Sequence, residues 1–533
     1  MIEILITIGY FFVVLIIYSI RYHRIRFLSW AGGIAISVLL LACIYYYLAD
    51  YLGADKGVLT RYLVITDLFG ILYGAVYGQR LIQPSKKENH FYLEAVDGRR
   101  VYFRDPLDNF LVYAGANSGK TKSIGKNLLE QYIKHHWAGF VYDFKDGDYS
   151  RTTFDLVNRY NYPYKVYHAN FIDLSCSHRF NIVKPSVLKD PNFFTQLLGD
   201  VLNAYMAESK QNEWYLGALG LFRGVGIRFY LDYPQYCTIP HIVNFIAQAD
   251  NDRLERFLNA RPESRGLASA YLSAARSEKT QDSIRSTLGN YLSELSFNKN
   301  VQYVLSGDDF DFNLIDPEEP KLLIVANAFK LNTVLSPLIS MMVLVSARNF
   351  TLMNRIRCFY FLDEPTTIKV VNFQELLSVL REYLASFVLL TQSQAKFEKL
   401  YGIHDLRSIE SNCGNKFFGK TLDPKAAESY VTQFSRKEEQ KVTKTRGQST
   451  NNSSSSVSVS KAKERRYDPD FFMQLKPGEF VGRATHSNVK EFHLQFKQYV
   501  PGEETDTPIV RPVLDRDIVN NYNKIIEEVS NLE

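Results

Sequence analysis

The sequence has few cysteines and little excess of either charge, and each shortage excludes a class of protein. Its five cysteines stand far apart with no CxxC or Cys/His spacing, which argues against a disulfide framework or a structural zinc site and fits a reducing compartment. The 62 basic residues barely exceed the 57 acidic ones, so net charge alone neither demands nor excludes a nucleic-acid partner. With 46% hydrophobic residues over 533 positions, the chain is neither disordered nor a small module, and we expect at least two compact units.

Long apolar runs are present near the start. Residues 4–20 and 27–49 are free of charged side chains, and their lengths suit a hydrocarbon layer of about 30 Å. Both are predicted to span a membrane as helices. The start MIE carries no basic leader, which disfavours a cleaved signal peptide. The alternative is a buried globular hairpin.

A third span is predicted at 62–78, in which Asp67 is the one charged residue. The basic turn 21–26, between the first two spans, is expected to lie in the cytoplasm. With only two spans, everything after residue 49 would then lie outside the cytoplasm. A third crossing returns the chain to the cytoplasm, and basic residues at 80–87 support it. Asp67 is then expected to face a neighbouring helix or subunit. The alternative is a membrane hairpin followed by an interfacial segment.

From residue 89 onward, short β-rich runs alternate with helical ones, which is typical of an α/β fold with a parallel sheet. Apolar residues at three- and four-residue spacing predict an inserted all-α domain at 181–300. It divides a nucleotide-binding domain into 89–180 and 301–435. A polar, serine-rich tract predicts a flexible loop at 436–463, and 464–533 completes the domain and adds a tail. The predicted strands are 110–113, 139–143, 165–168, 322–326, 358–362, 387–391 and 416–418, with two more in 479–487 and 490–496.

A phosphate-binding loop is predicted where the strand 110–113 gives way to AGANSGKTK. Amide groups of such a loop point at phosphates, Lys120 reaches the β and γ phosphates, and the Thr121 hydroxyl ligates magnesium. Residues 114–121 depart from the pattern GxxxxGK[ST] only at the first position, where Ala114 replaces glycine. ATP and Mg²⁺ are therefore the expected ligands. The residues predicted to bind nucleotide are Ala114, Gly115, Ala116, Asn117, Ser118, Gly119, Lys120, Thr121 and Lys122.

A second acidic motif ends the strand in RCFYFLDE, at Asp363 and Glu364. Opposite a phosphate-binding loop, Asp363 is expected to hold magnesium and Glu364 to polarise the attacking water. The strand-end Gln392, in SFVLLTQSQ, is placed to sense the γ-phosphate if its strand neighbours that of Asp363. Arg381, on the intervening helix, either contacts solvent or reaches the site of a neighbouring subunit.

Further motifs follow in a fixed order: VYDFKDGD at 141–148, NEWYLGALGLF, FDFNLIDPEEPKLLIVAN, TQSQAKFEKLYG, NKFFGKTLDPKAAESY and YDPDFFMQLKPGEF. Together with the anchor and the loop they resemble the type IV secretion coupling proteins of bacterial conjugation, the TraD/TraG kind, over about residues 105–495. The resemblance implies a RecA-like core with an inserted all-α domain, and six subunits around a channel. It also implies two Walker motifs (Lys120 and Thr121, Asp363 and Glu364), a glutamine sensor (Gln392) and a trans arginine finger (Arg381). Ala114, the segment PTTIK after Glu364 and the third span depart from the family pattern.

The resemblance further implies a function. The chain is expected to be a homo-hexameric ATPase of the bacterial inner membrane, with its ATPase domain in the cytoplasm, that passes a relaxase or other protein cargo with DNA to the secretion channel proteins. A motor for arbitrary DNA contacts backbone phosphates rather than base edges, so binding is expected to be non-sequence-specific, with single strands as the expected form. The alternatives are a related hexameric ATPase that powers secretion or pilus assembly, and a cargo-docking membrane scaffold.

Overall fold

The structure is a computed structural model that describes residues 91–205, 212–434, 437–449, 452–502 and 506–532, together with Asp55, Gly57 and Arg61. The predicted spans 4–20, 27–49 and 62–78 lie outside the described residues. The chain divides into two units, Met1–Asn89 and His90–Glu533, and the second unit contains the elements described below.

The strands of this unit, numbered along the chain, are β1 Phe91–Glu94, β2 Arg100–Phe103, β3 Phe110–Tyr113, β4 Ala138–Asp143, β5 Lys165–Asn170, β6 Lys321–Ala326, β7 Cys358–Asp363, β8 Ala385–Thr391, β9 Asn415–Phe418, β10 Lys437–Ser449, β11 Asn452–Glu464, β12 Glu479–Ala484 and β13 Glu491–Gln495. The helices are α1 Lys126–Lys134, α2 Asp148–Arg159, α3 Pro185–Leu188, α4 Pro191–Tyr205, α5 Glu213–Asp232, α6 Ile239–Gln248, α7 Asn251–Asn259, α8 Pro262–Leu267, α9 Ser269–Ser273, α10 Glu278–Phe297, α11 Lys299–Leu305, α12 Asn332–Ala347, α13 Phe373–Glu382, α14 Gln394–Ser411, α15 Pro424–Thr432, α16 Pro469–Gln474 and α17 Asp515–Ser530.

A nine-stranded sheet with the order β13-β12-β9-β3-β8-β7-β4-β6-β5 forms the centre of this unit. The strands from β9 to β5 run parallel, whereas β12 and β13 are antiparallel additions. Each predicted strand is present. The parallel direction gives the sheet a carboxyl edge, at the residues that follow these strands, and an amino edge, at the residues that precede them.

Alternation along the strands explains why the sheet is covered on both sides. In β3, Leu111 and Tyr113 belong to one hydrophobic cluster, whereas Phe110 and Val112 belong to the other. Successive side chains of a strand point to opposite faces, so a strand buried along its whole length needs a layer on each side. Helices α1 and α2 contribute to the second cluster, and α12, α13 and the helical domain contribute to the first.

The helical insertion begins at α3 and continues through α11, five residues beyond the predicted end at 300. The extension has a local cause, because the Asn298 side chain accepts from the Val301 N–H at 3.1 Å and caps one more helix. The C-terminal helix α17 also packs on this domain, against α6. Arg253 of α7 fixes its end by donating to the carbonyls of Val529, Ser530 and Leu532.

A short hairpin, β1 and β2, was not predicted. It pairs antiparallel from Phe91 with Phe103 to Glu94 with Arg100. Single bridges from Ala95 to Phe496 and from Phe103 to Ser487 connect it to the β12–β13 region. The signal for it was the alternation in FYLE and RVYF around a turn that contains Asp97 and Gly98.

The tract 436–463, predicted to be a flexible loop, contains regular secondary structure in its described residues, 437–449 and 452–463. Strands β10 and β11 form a separate antiparallel ribbon in which Lys437 pairs with Glu464 and Ser449 with Asn452. Pairing between the two strands satisfies backbone groups without a packed core, and composition alone does not reveal that pairing. The tract around VSVS also supplies the β-branched residues that favour strands.

One helical stretch of the described part, Phe329–Ala347, is long and apolar enough to cross a membrane by length and composition. Most of it is buried within the unit, and α12, which forms nearly all of it, belongs to the first hydrophobic cluster.

The tight contact between β4 and β7 is testable by one substitution. A Cβ at Gly139 would lie 2.3 Å from the Phe359 ring, and Phe359 stacks on Tyr132 with 4.6 Å between ring centroids. Gly139→Ala is therefore expected to destabilise the unit by about 1–3 kcal/mol through overpacking, measured as a lower Tm of the full chain. The control is Gly289→Ala in α10, where a Cβ meets no atom within 4 Å and about 0.5–1 kcal/mol of stabilisation is expected. A Tm for Gly139→Ala at or above that of the wild type would contradict the described packing.

Candidate active site at the carboxyl edge of the sheet

The predicted phosphate-binding loop follows β3 and leads into the helix at Lys120. Asn117 and Gly119 adopt left-handed φ angles of 58° and 88°, which turn the backbone sharply before the helix begins. A Cβ at Gly119 would lie 2.5 Å from the Gly478 nitrogen. Glycine is thus required here both by conformation and by space. Ala114, by contrast, is not among the described residues with a positive φ. The backbone at this position therefore accepts alanine in place of the first glycine of the pattern.

The loop is supported by hydrogen bonds to its neighbours in the sheet. The Gly115 N–H donates to the Lys420 carbonyl at 2.8 Å, and the Gly478 N–H donates to the Ser118 carbonyl at 2.8 Å. Inside the loop, the Ser118 hydroxyl donates to the Gly115 carbonyl at 2.6 Å. Ala116 and Asn117 at the tip remain exposed. The loop is therefore held at its base and open at the top.

The first turn of the helix, Lys120–Gly125, is a π-helix that continues into α1. Such turns occur often at functional sites. Gly125 lies so close to α2 that a Cβ would sit 2.2 Å from the Tyr149 hydroxyl oxygen. Thr121 is half-buried and Lys122 is exposed, and the Lys122 carbonyl accepts from the Tyr499 N–H at 2.7 Å. The helix N-terminus supplies partial positive charge at the loop.

Lys120 and Glu364 meet in a buried ion pair, with 2.9 Å between Nζ and Oε2. Glu364 follows β7 with a left-handed φ of 56°, and its N–H donates to the Leu390 carbonyl at 2.8 Å. Burial lowers the pKa of Lys120, and the carboxylates of Glu364 and Asp363 oppose that effect. The structure thus places the two predicted motifs in one site.

The second carboxylate oxygen of Glu364 is held by the end of β8. It accepts from the Thr391 hydroxyl at 2.9 Å and from the Gln392 N–H at 3.0 Å. Burial alone would raise the pKa of Glu364, but Lys120 and these hydrogen bonds keep it below the usual value. Strand β8 pairs with both β3 and β7, so Gln392 lies at the site as predicted from its strand. Its described contact is made by the backbone.

Asp363 is fully buried at the end of β7, and neither of its carboxylate oxygens has a hydrogen-bond partner in the described part of the chain. Burial raises its pKa to about 6, although the charges of Lys120 and Lys145 act in the opposite direction. A buried, unpaired carboxylate is costly. Its oxygens are the ligand type that Mg²⁺ prefers, so the residues present fit a divalent cation.

Sequence reasoning did not assign Asp143, Lys145 or Thr391 to the site. Asp143 ends β4, next to β7, and accepts from the Ser150 N–H at 2.7 Å, the Ser150 hydroxyl at 2.9 Å and the Lys145 N–H at 3.0 Å. It therefore orders the turn that carries the Lys145 charge. The signal was the position of VYDFKDGD at a strand end.

Arg381 does not join this site within the same chain. It ends α13 just before β8 begins, at the amino edge, where its Nη2 lies 2.5 Å from Asp108 Oδ1. Asp108 lies two residues before the start of β3, whereas the phosphate-binding loop directly follows β3. The guanidinium and the loop are thus at opposite ends of the same strand.

Comparisons with known proteins show which sequences and folds the chain is similar to. The chain is 26% identical to coupling protein TraD of Escherichia coli (strain K12) over 184 residues, which is 33% of this chain and 25% of that protein. It is thus matched to a quarter of the length of this curated relative.

Solved structures show the same fold at low identity. The bacterial conjugative coupling protein TrwBdeltaN70, in its unbound monoclinic form, matches with a TM-score of 0.61 and 16% identity over 78% of this chain and 91% of that chain. Plasmid coupling protein TrwB in complex with ADP and Mg²⁺ matches with a TM-score of 0.59 and 16% identity over 76% and 88%. The complex of TrwB with the ATP analogue ADPNP matches with a TM-score of 0.59 and 16% identity over 77% and 90%.

A sequence profile of the type IV secretion-system coupling protein DNA-binding domain matches residues 188–474, more than half of the chain. The match includes the helical insertion from α4 onward, the acidic strand β7 and the strand β8 that supports it. The chain therefore belongs to the type IV secretion-system coupling protein family.

Proposed function

We propose that the chain is a membrane-anchored ATPase that binds ATP with Mg²⁺ and drives DNA with its protein cargo toward a type IV secretion channel. The observation that carries this proposal is the meeting of Lys120 with Glu364, next to the unpaired Asp363, at a phosphate-binding loop. Family membership supports it, as do the ADP, Mg²⁺ and ADPNP complexes of TrwB, which has the same fold.

The ligands follow from the residues present. The loop 114–119 and the helix N-terminus would hold the phosphates. Thr121 and Asp363 would hold Mg²⁺, which when bound neutralises charge that develops on the phosphates. The Lys120 ammonium has three donors on a flexible side chain. It can therefore contact either Glu364 or the phosphates of a bound nucleotide.

Glu364 is proposed to orient and deprotonate the attacking water. Its Oε1 is fixed by Thr391 and Gln392, so its Oε2 is the oxygen available for another partner when Lys120 turns to a phosphate. Proton transfer by a positioned carboxylate contributes about 10²–10⁴ in rate. Gln392 links this carboxylate to the end of β8, where its side chain is proposed to sense the γ-phosphate.

Arg381 is proposed to act on the nucleotide of a neighbouring copy. At the amino edge it cannot serve the site of its own chain, but a head-to-tail interface brings the amino edge of one copy to the carboxyl edge of the next. Such an interface forms a ring when its rotation closes, and we propose a homo-hexamer.

Partners and location are also proposals. The all-α domain between β5 and β6 is the expected place for a relaxase or other cargo, and basic residues facing the channel would contact DNA phosphates without reading sequence, with single strands as the expected form. The apolar runs at 4–20, 27–49 and 62–78 would anchor the chain in the bacterial inner membrane and keep the ATPase domain in the cytoplasm, beside the secretion channel proteins.

The first test measures ATP hydrolysis by the detergent-purified full chain with and without single- and double-stranded DNA. We expect DNA of any sequence to stimulate hydrolysis, and stimulation to fall steeply as salt rises because binding releases counterions from the phosphates. Hydrolysis that ignores DNA would favour an assembly ATPase. Full DNA transfer by Lys120→Ala would favour a scaffold.

Glu364→Gln tests the catalytic carboxylate. We expect nucleotide binding to remain and turnover to fall by about 100-fold or more, because the amide keeps the shape but cannot accept a proton. Binding of a fluorescent ATP analogue and release of phosphate are the two measurements. Glu410→Gln is the matched control, since Glu410 accepts from Tyr113 and Gln394 outside the site. Wild-type turnover in Glu364→Gln would refute the role.

Asp363→Asn tests the cation site through stability and pH. The carboxyl is charged in the folded chain only above its raised pKa of about 6, so the folded state loses stability as pH rises from about 4 through 6. At pH 7.5, without Mg²⁺ or nucleotide, the free energy of unfolding of Asp363→Asn should exceed that of the wild type by up to about 3 kcal/mol. The variant should therefore have the higher Tm. The difference should vanish near pH 4, and Mg²⁺-dependent nucleotide binding should be lost.

Asp143→Asn provides the contrast for this measurement. Asp143 is equally buried, and burial raises its pKa as well, but its two oxygens accept three hydrogen bonds. An amide keeps only one oxygen and turns an NH₂ group toward the other donors, so the Tm at pH 7.5 should fall. A lower Tm for Asp363→Asn at that pH would show that the Asp363 carboxylate has stabilising partners in the folded chain. It would contradict the role of Asp363 as an unpaired carboxylate that binds Mg²⁺.

A further inference from the structure

A cleft of about 520 Å³ lies at the amino edge of the sheet, at the end opposite to the phosphate-binding loop. Arg381 lies at its rim, and Asp108, Ser378, Asn412 and His486 are among its other lining residues. The cleft therefore includes Arg381, the side chain that is proposed to act on the nucleotide of a neighbouring copy.

Asp108 is the fixed point of this cleft. Its side chain is only 2% exposed, and its two oxygens have different partners: Oδ1 lies 2.5 Å from Arg381 Nη2, and Oδ2 accepts from His486 Nδ1. A carboxylate is acceptor-only, so His486 must present its Nδ1 as an N–H. The Asp108 carbonyl also accepts from the Gly414 N–H at 2.6 Å. Side chain and backbone are thus both held before β3 begins.

Arg381, in contrast, keeps most of its donors available. A guanidinium has five N–H donors in a planar fork, and Asp108 takes one nitrogen while the side chain stays 45% exposed. Among the described residues, the only other carboxylate within ion-pair distance of it is that of Asp105, 4.0 Å away, and Glu382, the next residue in the chain, also lines the cleft. One nitrogen of the guanidinium is therefore anchored, and the exposed remainder is available to another partner.

We propose that Asp108, itself held by His486, is a positioning residue that orients Arg381 toward the nucleotide bound by a neighbouring copy. The amino-edge cleft is then the second half of a site shared between copies. This rests on the proposed function, in which Arg381 acts in trans. Anchoring one nitrogen reduces the conformational freedom that a long side chain loses when it contacts a phosphate. A buried carboxylate anchors more firmly than an exposed one, because its own position is fixed by packing.

The opposite arrangement, in which Asp108 restrains Arg381 and withholds it from the neighbour, makes the opposite prediction for removal of the carboxylate. Loss of an orienting group lowers hydrolysis, whereas loss of a restraint raises it. The sign of the change therefore decides between the two.

The experiment uses mixed assemblies of the full chain, co-expressed with two different tags and purified through both. One copy carries Arg381→Ala and has an intact nucleotide site. The other carries Lys120→Ala, which disables its own site and leaves its Arg381 to serve the neighbour. Hydrolysis by this pair, well above that of either variant alone, is the expected result for a residue acting in trans.

Asp108→Asn is then added to the Lys120→Ala copy. We expect hydrolysis to fall by about 10- to 100-fold, the range that misplacement of a catalytic group produces, while the intact sites still bind nucleotide as before. A structural defect in the disabled copy's own site cannot cause this fall, since that site is already silent. Particle mass measurements establish that the assemblies are of equal size.

Asp105→Asn in the same copy is the matched control, and it should leave hydrolysis unchanged, because asparagine can keep the cap that Asp105 gives to the Leu107 N–H. A second pair tests the histidine. His486→Ala should lower hydrolysis, and His486→Asn should restore it, because its amide N–H can reach the position of Nδ1.

The outcomes separate the two proposals. No hydrolysis by the starting pair would remove the trans role of Arg381 and this inference with it. An active starting pair whose hydrolysis is unaffected or increased by Asp108→Asn would overturn the positioning role alone. Equal effects of Asp105→Asn and Asp108→Asn would also overturn it.

Discussion

The buried contact between the Lys120 ammonium and the Glu364 carboxylate is the constraint around which the carboxyl edge is built. Taking two charges out of water costs several kcal/mol per ion unless the geometry is good and the remaining lone pairs are satisfied. Three strand ends meet that requirement together: β3 delivers the lysine through its loop, β7 delivers the glutamate, and β8 supplies Thr391 and the Gln392 N–H. The order β3-β8-β7 is therefore part of the site, since another strand order would leave one charge unpaired.

Two adjacent carboxylates at the same edge differ in their hydrogen bonding. Both carboxylate oxygens of Glu364 have hydrogen-bond partners, whereas those of the adjacent Asp363 have none among the described residues. Both are buried, so the difference comes from direction rather than depth. A fold that leaves one carboxylate unpaired beside a saturated one accepts a cost in stability, and such costs concentrate at sites with a function. Asp143, at the end of the next strand, has three donors and supports the turn without adding a second unpaired group.

The two edges of the sheet carry complementary chemistry. The carboxyl edge combines acidic residues with the loop 114–119 and a helix N-terminus, and the amino edge offers an exposed guanidinium paired with a buried carboxylate. Parallel strands make this polarity unavoidable, because all their carboxyl ends lie together and all their amino ends lie together. Antiparallel strands β12 and β13 do not disturb it, since they extend the sheet beyond β9. They serve instead as support, with Gly478 before β12 bonded to the phosphate-binding loop.

Much of this protein was determined by sequence patterns that act locally. Apolar runs of four to seven residues specified the strands of the parallel sheet, three- and four-residue spacing specified the helical insertion, and AGANSGKT and FLDE announced the chemistry, because each depends on neighbours in the chain. Pairing between distant segments was decided by tertiary structure. It placed Thr391 against Glu364, left Asp363 without a hydrogen-bond partner among the described residues and put Arg381 at the amino edge. It also formed the β1–β2 hairpin and the β10–β11 ribbon, whose strand-to-strand pairing composition does not record.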